Sequence, residues 1–296
     1  MSELTARDVE LLNALAEYRA LTCRQAGVIL GRNPRALRRR LTQLVDRHLV
    51  ETRPRRCGGR RGRPEQIYLL RELGGTLLGK SLPARPPGSL AAAVKDHQLP
   101  HQLLVNTFRA HLAHLRRNVE GLSMTFFSPD SPFVRRGLHG RPYVQDEVPG
   151  AEGKPVRFVP DGVLLLEHIA ADRSLLLLLE ADRGSEDHVR LTQKVVRYQS
   201  YFRSGGYRRY EADCSYRLQG FRLLLLTENP RQLPGVCEAV AAVPGTDFVW
   251  LAAASDLAAA GVGGRAWIRG GRANKPRESI LGRLAPRHPV VPADLC

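Results

Sequence analysis

The chain has 296 residues, 43% of them hydrophobic, which is enough for one large domain or two ordinary ones. Its formal net charge of +16 favours a polyanionic partner, with nucleic acid as the first candidate. No apolar run approaches the length of a transmembrane helix and the first residues show no signal-peptide pattern, so a cytoplasmic protein without a membrane partner is predicted.

The first 80 residues hold 17 basic and 8 acidic residues, which is more than half of the charge excess in about a quarter of the chain. Three helices are predicted there. Thr5 and Thr22 are suitable caps for the first two, and Asn33 followed by Pro34 begins the third. Part of the arginine excess is compositional, since the chain is also rich in Ala, Gly and Leu, so the location of the charges is more informative than their total.

The third predicted helix has one apolar face, from Leu37 to Val45, and one basic face. Such a basic face suits a recognition helix, because arginine donors reach guanine edges and phosphates in the major groove. The residues of this helix predicted to contact DNA are Arg35, Arg38, Arg39, Thr42 and Gln43.

Two strands, Leu49–Thr52 and Gln66–Leu70, are predicted after this helix, with a Gly-rich basic tip between them. The tip is typical of the wing of a winged helix, which contacts phosphates or the minor groove; a solvated charge run is the simpler alternative. Together, the basic helix and the basic tip predict that residues 1–81 form a winged helix-turn-helix domain that binds double-stranded DNA. The tip residues predicted to contact DNA are Arg55, Arg56, Arg60, Arg61 and Arg63.

A Pro-rich connection over residues 82–100 predicts a domain boundary. The second domain, residues 101–270, begins with a long helix and continues with short apolar runs and two further helical stretches. Apolar runs without polar alternation are typical of strands buried on both faces. The predicted fold class is α+β or α/β: a winged helix-turn-helix followed by a central mixed β-sheet flanked by helices. Residues 271–296 are predicted to be a basic Gly/Pro-rich tail, either a DNA strap or a loose extension.

Three acidic residues are predicted to meet at one end of that sheet. A hairpin of Gly162–Glu167 and Leu175–Glu180, with its turn centred near residue 170 or 171, puts Asp161 opposite Glu180, and Asp182 faces the same side as Glu180. Such a cluster favours a hard cation, Mg²⁺ or Mn²⁺, which can activate water for phosphodiester chemistry. An ordinary strand end in solvent is the alternative, and a one-residue slip in register would separate the acids.

This arrangement resembles the PD-(D/E)xK nuclease superfamily. Pro160–Asp161 matches the PD, and Glu180–Asp182 matches the D/E-x-K, except that Asp182 replaces the lysine. Some members of the superfamily carry the lysine on the next helix, where Lys194 is either that lysine or a plain solvated one. The resemblance implies Asp161, Glu180, Asp182 and Lys194 as catalytic residues, the three acids being the metal ligands.

A longer pattern resembles the bacterial replication-relaxation family of plasmids and mobile elements. The segments VPDGVLLLEH, LLEADRGSE, RLTQKVVRYQSYF, FRLLLLTENP and AWIRGG carry it. The resemblance implies an N-terminal winged helix and a role in plasmid replication and relaxation of supercoiled DNA. The residues that match the family's ExDRGxE signature are Glu180, Asp182, Arg183, Gly184 and Glu186, with Ser185 where Thr is common. Glu186 is either structural or a fourth metal ligand.

Two functions remain open from the sequence. The retained acids favour a divalent-metal-dependent DNA endonuclease or nickase guided by the winged helix. The missing lysine favours a non-catalytic replication or transcription regulator with a degenerate nuclease fold as scaffold. A homodimer is the default expectation, and replication or mobilisation proteins are further candidate partners.

Other chemistries lack support. The five cysteines form no CxxC pair, which argues against a disulfide framework or a zinc site. The pairs His97/His101 and His111/His114 have helical spacing but no third ligand nearby, so ordinary helix positions are favoured. There is no GxSxG motif and no P-loop, so serine-hydrolase and ATP-driven activities are not predicted.

Overall fold

The computed structural model describes residues 4–55, 64–80, 94–129, 131, 143–150, 154–184 and 187–295. The chain divides into two compact units, the first made of residues 1–110, 130–133 and 293–295 and the second of residues 111–129, 134–292 and 296. The division falls inside a helix, Leu99–Asn118, and not in the Pro-rich segment over residues 82–100, of which 81–93 lie outside the described residues. Within the described ranges, no helix combines the length and hydropathy that a membrane span requires.

The first unit is built from short helices and a three-stranded sheet. In chain order its elements are α1 (Ala6–Tyr18), β1 (Leu21–Thr22), α2 (Cys23–Leu30), α3 (Pro34–Asp46), β2 (Val50–Pro54), β3 (Gln66–Leu70) and α4 (Glu72–Lys80). The strands pair antiparallel in the order β1-β3-β2.

The helix starts of this unit follow the predicted caps. Thr5 with Asp8, and Thr22 with Gln25, form reciprocal capping boxes that satisfy the first free N–H groups of α1 and α2. Gly31 ends α2 in the left-handed conformation, with φ of 63°, which glycine adopts without strain.

Helix α5 (Leu99–Asn118) passes from the first unit into the second. The remaining elements, all in the second unit, are β4 (Leu122–Phe127), β5 (Asp146–Val148), β6 (Val156–Phe158), β7 (Gly162–His168), β8 (Arg173–Asp182), α6 (His188–Ser204), β9 (Phe221–Thr227), α7 (Leu233–Ala241), β10 (Val249–Ala253), α8 (Ala254–Ala260) and β11 (Ile268–Arg269).

These strands form a mixed sheet of order β11-β10-β9-β8-β7-β4, with β5 and β6 as a separate pair. Strand β7 is antiparallel to both of its neighbours, β4 and β8; β8, β9 and β10 are parallel, and β11 is antiparallel to β10. Side chains from α6 and α7, such as Val195 and Val240, share one core with Leu178 and Leu223 of the sheet. The predicted mixed α+β class with a central mixed sheet is therefore confirmed.

The segment after β11 packs into the second unit. Ile280 and Leu281 are buried, and Trp267 exchanges both backbone hydrogen bonds with Glu278. This part of the region that was predicted to be a loose tail or a strap thus contributes core residues to the unit.

Candidate functional site

The β7–β8 hairpin has the predicted register. Gly162 pairs with Leu179, and the N–H of Asp161 donates to the carbonyl of Leu179 at 2.9 Å. Asp161 therefore lies beside Glu180 at the end of the ladder. Its Oδ2 accepts a 2.7 Å hydrogen bond from the backbone N–H of Ala181, which fixes this carboxylate at the strand end.

Glu180 faces helix α6, because its neighbours two and four residues back on β8 pack in the core that this helix covers. Its Oε2 accepts from Lys194 Nζ at 2.8 Å, and its Oε1 accepts from the Tyr198 hydroxyl at 2.5 Å. Only 12% of the Glu180 side chain and 19% of the Lys194 side chain are exposed. The predicted placement of Lys194 near the acids is thus observed, and Lys194 is not a fully solvated lysine.

The electrostatics of this group centre on Glu180. Burial raises the pKa of Glu180; Asp161 adds repulsion in the same direction, and Lys194 and Tyr198 oppose the shift without cancelling it. Burial and the neighbouring Glu180 carboxylate raise the pKa of Tyr198 well above 10. The phenol consequently stays protonated and serves as a donor.

Asp182 has the predicted two-residue spacing from Glu180, but its carboxylate is used locally. Its Oδ1 accepts from the N–H of Gly184 at 2.8 Å. Across the described ranges, no three His, Cys, Asp or Glu side chains group closely enough to hold a metal ion. The three-acid cluster expected from the sequence is therefore not observed among the described residues. The carboxylate of Asp182 instead accepts a hydrogen bond within the turn after β8. Ser185 and Glu186 lie outside the described residues.

The turn after the acids requires its glycine. Gly184 has φ of 86°, and a Cβ on it would come within 1.6 Å of the Gln232 side chain. Helix α6 begins two residues after the undescribed pair, with Asp187 as its cap: Asp187 Oδ1 accepts from the N–H of Arg190 at 2.8 Å.

Helix α3 presents the predicted basic face. Leu37, Leu41 and Leu44 are buried against the unit, and Asn33 accepts from the N–H of Arg35 at 2.8 Å. The residues predicted to contact DNA from α3, Arg35, Arg38, Arg39, Thr42 and Gln43, are all exposed.

A contact that the sequence did not reveal fixes α3 to α1. Arg40 forms an ion pair with Asp8, whose side chain is fully buried, and donates to the Thr5 hydroxyl at 2.9 Å. Arg40 also donates to the side chain of Gln43 at 3.0 Å, which ties one residue of the predicted DNA face to this pair. No local pattern could have indicated a partner 32 positions away in sequence.

The predicted basic tip is described only at its base. Arg55 pairs with Glu65 at 3.1 Å across the two strands, so part of its charge is compensated. The other tip arginines, Arg56, Arg60, Arg61 and Arg63, lie outside the described residues.

Sequence reasoning also missed two side chains next to the acids. Tyr198 holds Glu180, and the only signal was its position one turn after Lys194 on the same helical face. Gln232, which contacts Gly184 from the segment before α7, had no signal in the sequence.

A comparison with family models matches residues 12–213 to the family described as replication-relaxation. No curated protein and no solved structure matches the chain. The matched range covers more than half of the chain and includes both α3 and the hairpin and helix that carry Asp161, Glu180 and Lys194. The chain therefore belongs to the replication-relaxation family.

Proposed function

We propose that this protein acts in plasmid replication or relaxation by binding double-stranded DNA through its first unit and nicking DNA at a divalent-metal site around Glu180. The family match supports the role in replication and relaxation. DNA binding and nicking rest on the geometry of the two units.

The first unit fits a winged helix. Its order of elements, α1-β1-α2-α3-β2-β3, ends in an antiparallel pair of strands joined by the arginine-rich segment. Helix α3 leaves Arg35, Arg38 and Arg39 exposed and is fixed to α1 by the Arg40–Asp8 pair, as a helix that reads a groove requires. Double-stranded DNA is the polyanion that suits this face.

The observation that carries the nuclease proposal is the 2.8 Å contact between Lys194 Nζ and Glu180 Oε2. It fits a PD-(D/E)xK-like site in which the lysine comes from the helix after the motif, while the position two residues after Glu180 holds Asp182. The mixed sheet flanked by helices, with Asp161 and Glu180 together at one strand end, fits the same architecture.

Two carboxylates are sufficient for the proposed ion. Mg²⁺ is commonly held by one or two carboxylates, with water and substrate phosphate as the other ligands, and Asp161 and Glu180 supply hard oxygen donors side by side. When bound, Mg²⁺ or Mn²⁺ would neutralise phosphate charge and lower the pKa of a water. Asp182 is then not needed as a ligand.

The protein side chains supply orientation and charge. The Asp161 carboxylate is held at the strand end by the Ala181 N–H, and Tyr198 orients Glu180 from α6. The Lys194 ammonium, beside Glu180, is placed to donate to the attacking water or to a phosphate oxygen. Helix α6 shields this side of the site from bulk water, which strengthens each of these interactions.

The test is nicking of supercoiled plasmid by purified full-length protein with Mg²⁺, Mn²⁺ or EDTA, beside the variant Asp161→Asn. Asp172→Asn, at the opposite end of the same hairpin, is the matched control because it makes the same substitution on an exposed turn. We expect metal-dependent nicked product from the wild type and from Asp172→Asn, and none from Asp161→Asn.

A second candidate function is a non-catalytic DNA-binding regulator. It is favoured by one observation: Lys194 and Tyr198 already engage both oxygens of Glu180. This alternative predicts that plasmid is bound but stays supercoiled with every metal.

A further inference from the structure

A cluster of basic side chains lies at the start of strands β9 and β10, beyond the residues that the family model matches. We call it the basic patch; its members are Arg222, Arg269, Arg272 and Lys275. None of the residues that were expected to contact DNA from the first unit belongs to it.

Two glycines build the patch. Gly270 and Gly271 have φ of 61° and 71°, and the N–H of Arg272 donates to the carbonyl of Arg269 at 3.2 Å. Two successive positive φ values are those of a tight type I′ turn. A second turn follows at once, because the N–H of Lys275 donates to the carbonyl of Arg272 at 3.0 Å. The two turns bring the three basic side chains around one carboxylate, that of Asp247.

The patch has more positive than negative charge. Arg272 hydrogen-bonds to Asp247, and together with Arg269 and Lys275 it holds the pKa of this carboxylate low, although burial opposes the shift. Glu278 is a second acid that acts on the patch, through Arg222. The four cations of the patch outnumber these two carboxylates, and the exposed parts of Arg269 and Lys275 are placed to attract an anion.

The patch has a rigid aromatic floor. Trp250 is buried in β10, with the Arg222 guanidinium 4.6 Å and the Arg269 guanidinium 5.8 Å from its ring centroid. Arg222 also donates to the carbonyl of Ile280. Stacked and hydrogen-bonded arginines lose little further freedom when they bind a phosphate, which favours an ordered contact.

The patch and the acidic site lie on opposite faces of the sheet. Arg222 alternates on β9 with Leu223 and Leu225, which face α6, whereas Glu180 itself points to α6. The two are also at opposite ends: Glu180 is near the end of β8, and Arg222 is near the start of the parallel strand β9. A DNA segment bound at Glu180 would therefore differ from the DNA segment that the patch would hold.

We propose that the basic patch is a second DNA-binding surface that holds the phosphodiester backbone without reading its sequence, separately from α3. Charge complementarity selects this partner, since regularly spaced phosphates match arginines and a lysine held apart by two turns. The proposal rests on the DNA binding proposed above and adds a second contact to it. A protein with two such surfaces can hold two segments of one plasmid.

The experiment measures the salt dependence of binding to a short fluorescent duplex of arbitrary sequence by anisotropy, over a series of NaCl concentrations. The full-length wild type is compared with Arg269→Gln/Lys275→Gln, with the α3 variant Arg35→Gln/Arg38→Gln, and with a matched control of equal charge change. That control, Arg116→Gln/Arg173→Gln, alters two exposed arginines elsewhere in the second unit. Thermal unfolding of each variant checks that it is folded.

We expect the patch variant to lower the slope of log K against log salt by about 2, one for each lost phosphate contact, and the control to leave it unchanged. The α3 variant should lose affinity while keeping the slope that the patch contributes. A patch variant that binds like the wild type overturns the second surface but leaves the proposed function intact. If the wild type binds no duplex at all, both DNA proposals fall. If the patch variant loses slope while the α3 variant binds like the wild type, the patch stands and the role of α3 falls.

Discussion

At the scale of single residues, the state of the acidic site depends on one cation. Lys194 is the neighbour that most strongly lowers the pKa of Glu180 against the effect of burial. Without that ammonium, Glu180 would take up a proton at higher pH and would be a poorer metal ligand. The lysine therefore has two proposed roles, since it lowers the pKa of Glu180 and supplies positive charge next to the phosphate.

We predict that Lys194→Met lowers the nicking rate by about 10²- to 10³-fold, as does loss of one preorganised electrostatic donor in other enzymes. Lys194→Arg, which keeps the charge, should retain part of the rate. The measurement is initial nicking velocity as a function of pH, and the Met variant should require higher pH because its Glu180 has a further raised pKa. Equal rates for the wild type and Lys194→Met would rule out this role for the lysine.

Gly184 is a second position where a single side chain should decide stability, because an added Cβ would clash there. We predict that Gly184→Ala destabilises the protein by about 1–3 kcal/mol, because it combines a left-handed conformation with a clash against Gln232. Gly282→Ala is the matched control, since Gly282 has φ of 58° and nothing near the added Cβ, so only the conformational strain applies. Denaturant unfolding should give a larger loss for Gly184→Ala; equal losses would show that Gln232 simply moves away.

His111 is a residue whose protonation should change the free energy of unfolding. Burial lowers its pKa from 6.5 to about 4, with a smaller contribution from His114. The unfolded chain therefore takes up a proton below pH 6.5 that the folded chain refuses until about pH 4. Stability should fall as pH drops through this window and level off below it, by about 3 kcal/mol in total.

The check is denaturant unfolding at a series of pH values for wild type and His111→Leu. The leucine variant should lack this part of the acid-induced loss, whereas His288→Leu, at an exposed histidine of the same unit, should retain it. A wild-type profile that is flat between pH 6.5 and 4 would contradict the buried neutral imidazole.

At the scale of elements, α3 has two faces with separate tasks. Arg40 compensates the buried Asp8 of α1, while the neighbouring Arg39 is exposed. We predict that Arg40→Gln costs about 3 kcal/mol, because it leaves a buried carboxylate without its cation. Arg39→Gln should leave stability unchanged and weaken DNA binding. Thermal unfolding and duplex binding of the two variants distinguish these tasks, and a stable Arg40→Gln protein would refute the structural one.

Local chemistry explains which elements the sequence could predict. The caps at Thr5, Thr22 and Asn33 depend on residues within three positions, and all three are observed. The β7–β8 register followed from the near-symmetry of two apolar runs around a turn. It put Asp161 opposite Glu180 because residues equidistant from the turn pair across the two strands.

What the sequence could not give depends on side-chain conformation and on long-range packing. The two-residue spacing placed Asp182 on the same side of β8 as Glu180. Spacing could not show that its carboxylate accepts a hydrogen bond from the N–H of Gly184. The residues around Ile280 are charged and Gly-rich locally, so their burial appears only when β11 is placed on the sheet. The contact of Arg40 with Asp8 also had no signal, because the two residues are 32 positions apart in the sequence.

At the scale of the whole molecule, the proposed DNA contacts of α3 belong to one compact unit, and the proposed cleavage site and the basic patch belong to the other. The replication-relaxation match covers parts of both, from α1 to the segment before β9. The basic patch lies outside that match, so it would be an addition to what the matched region provides. Binding and cutting should consequently be separable by substitution.

The most direct test of DNA nicking at the acidic site is the supercoiled-plasmid assay with wild type, Asp161→Asn and Asp172→Asn in Mg²⁺, Mn²⁺ and EDTA, with plasmid binding measured in parallel. We expect metal-dependent nicked circles from the wild type and the Asp172 variant. We expect bound but intact plasmid from Asp161→Asn. Nicking that persists in Asp161→Asn, or plasmid that stays supercoiled with the wild type in every metal, would contradict nicking at this site.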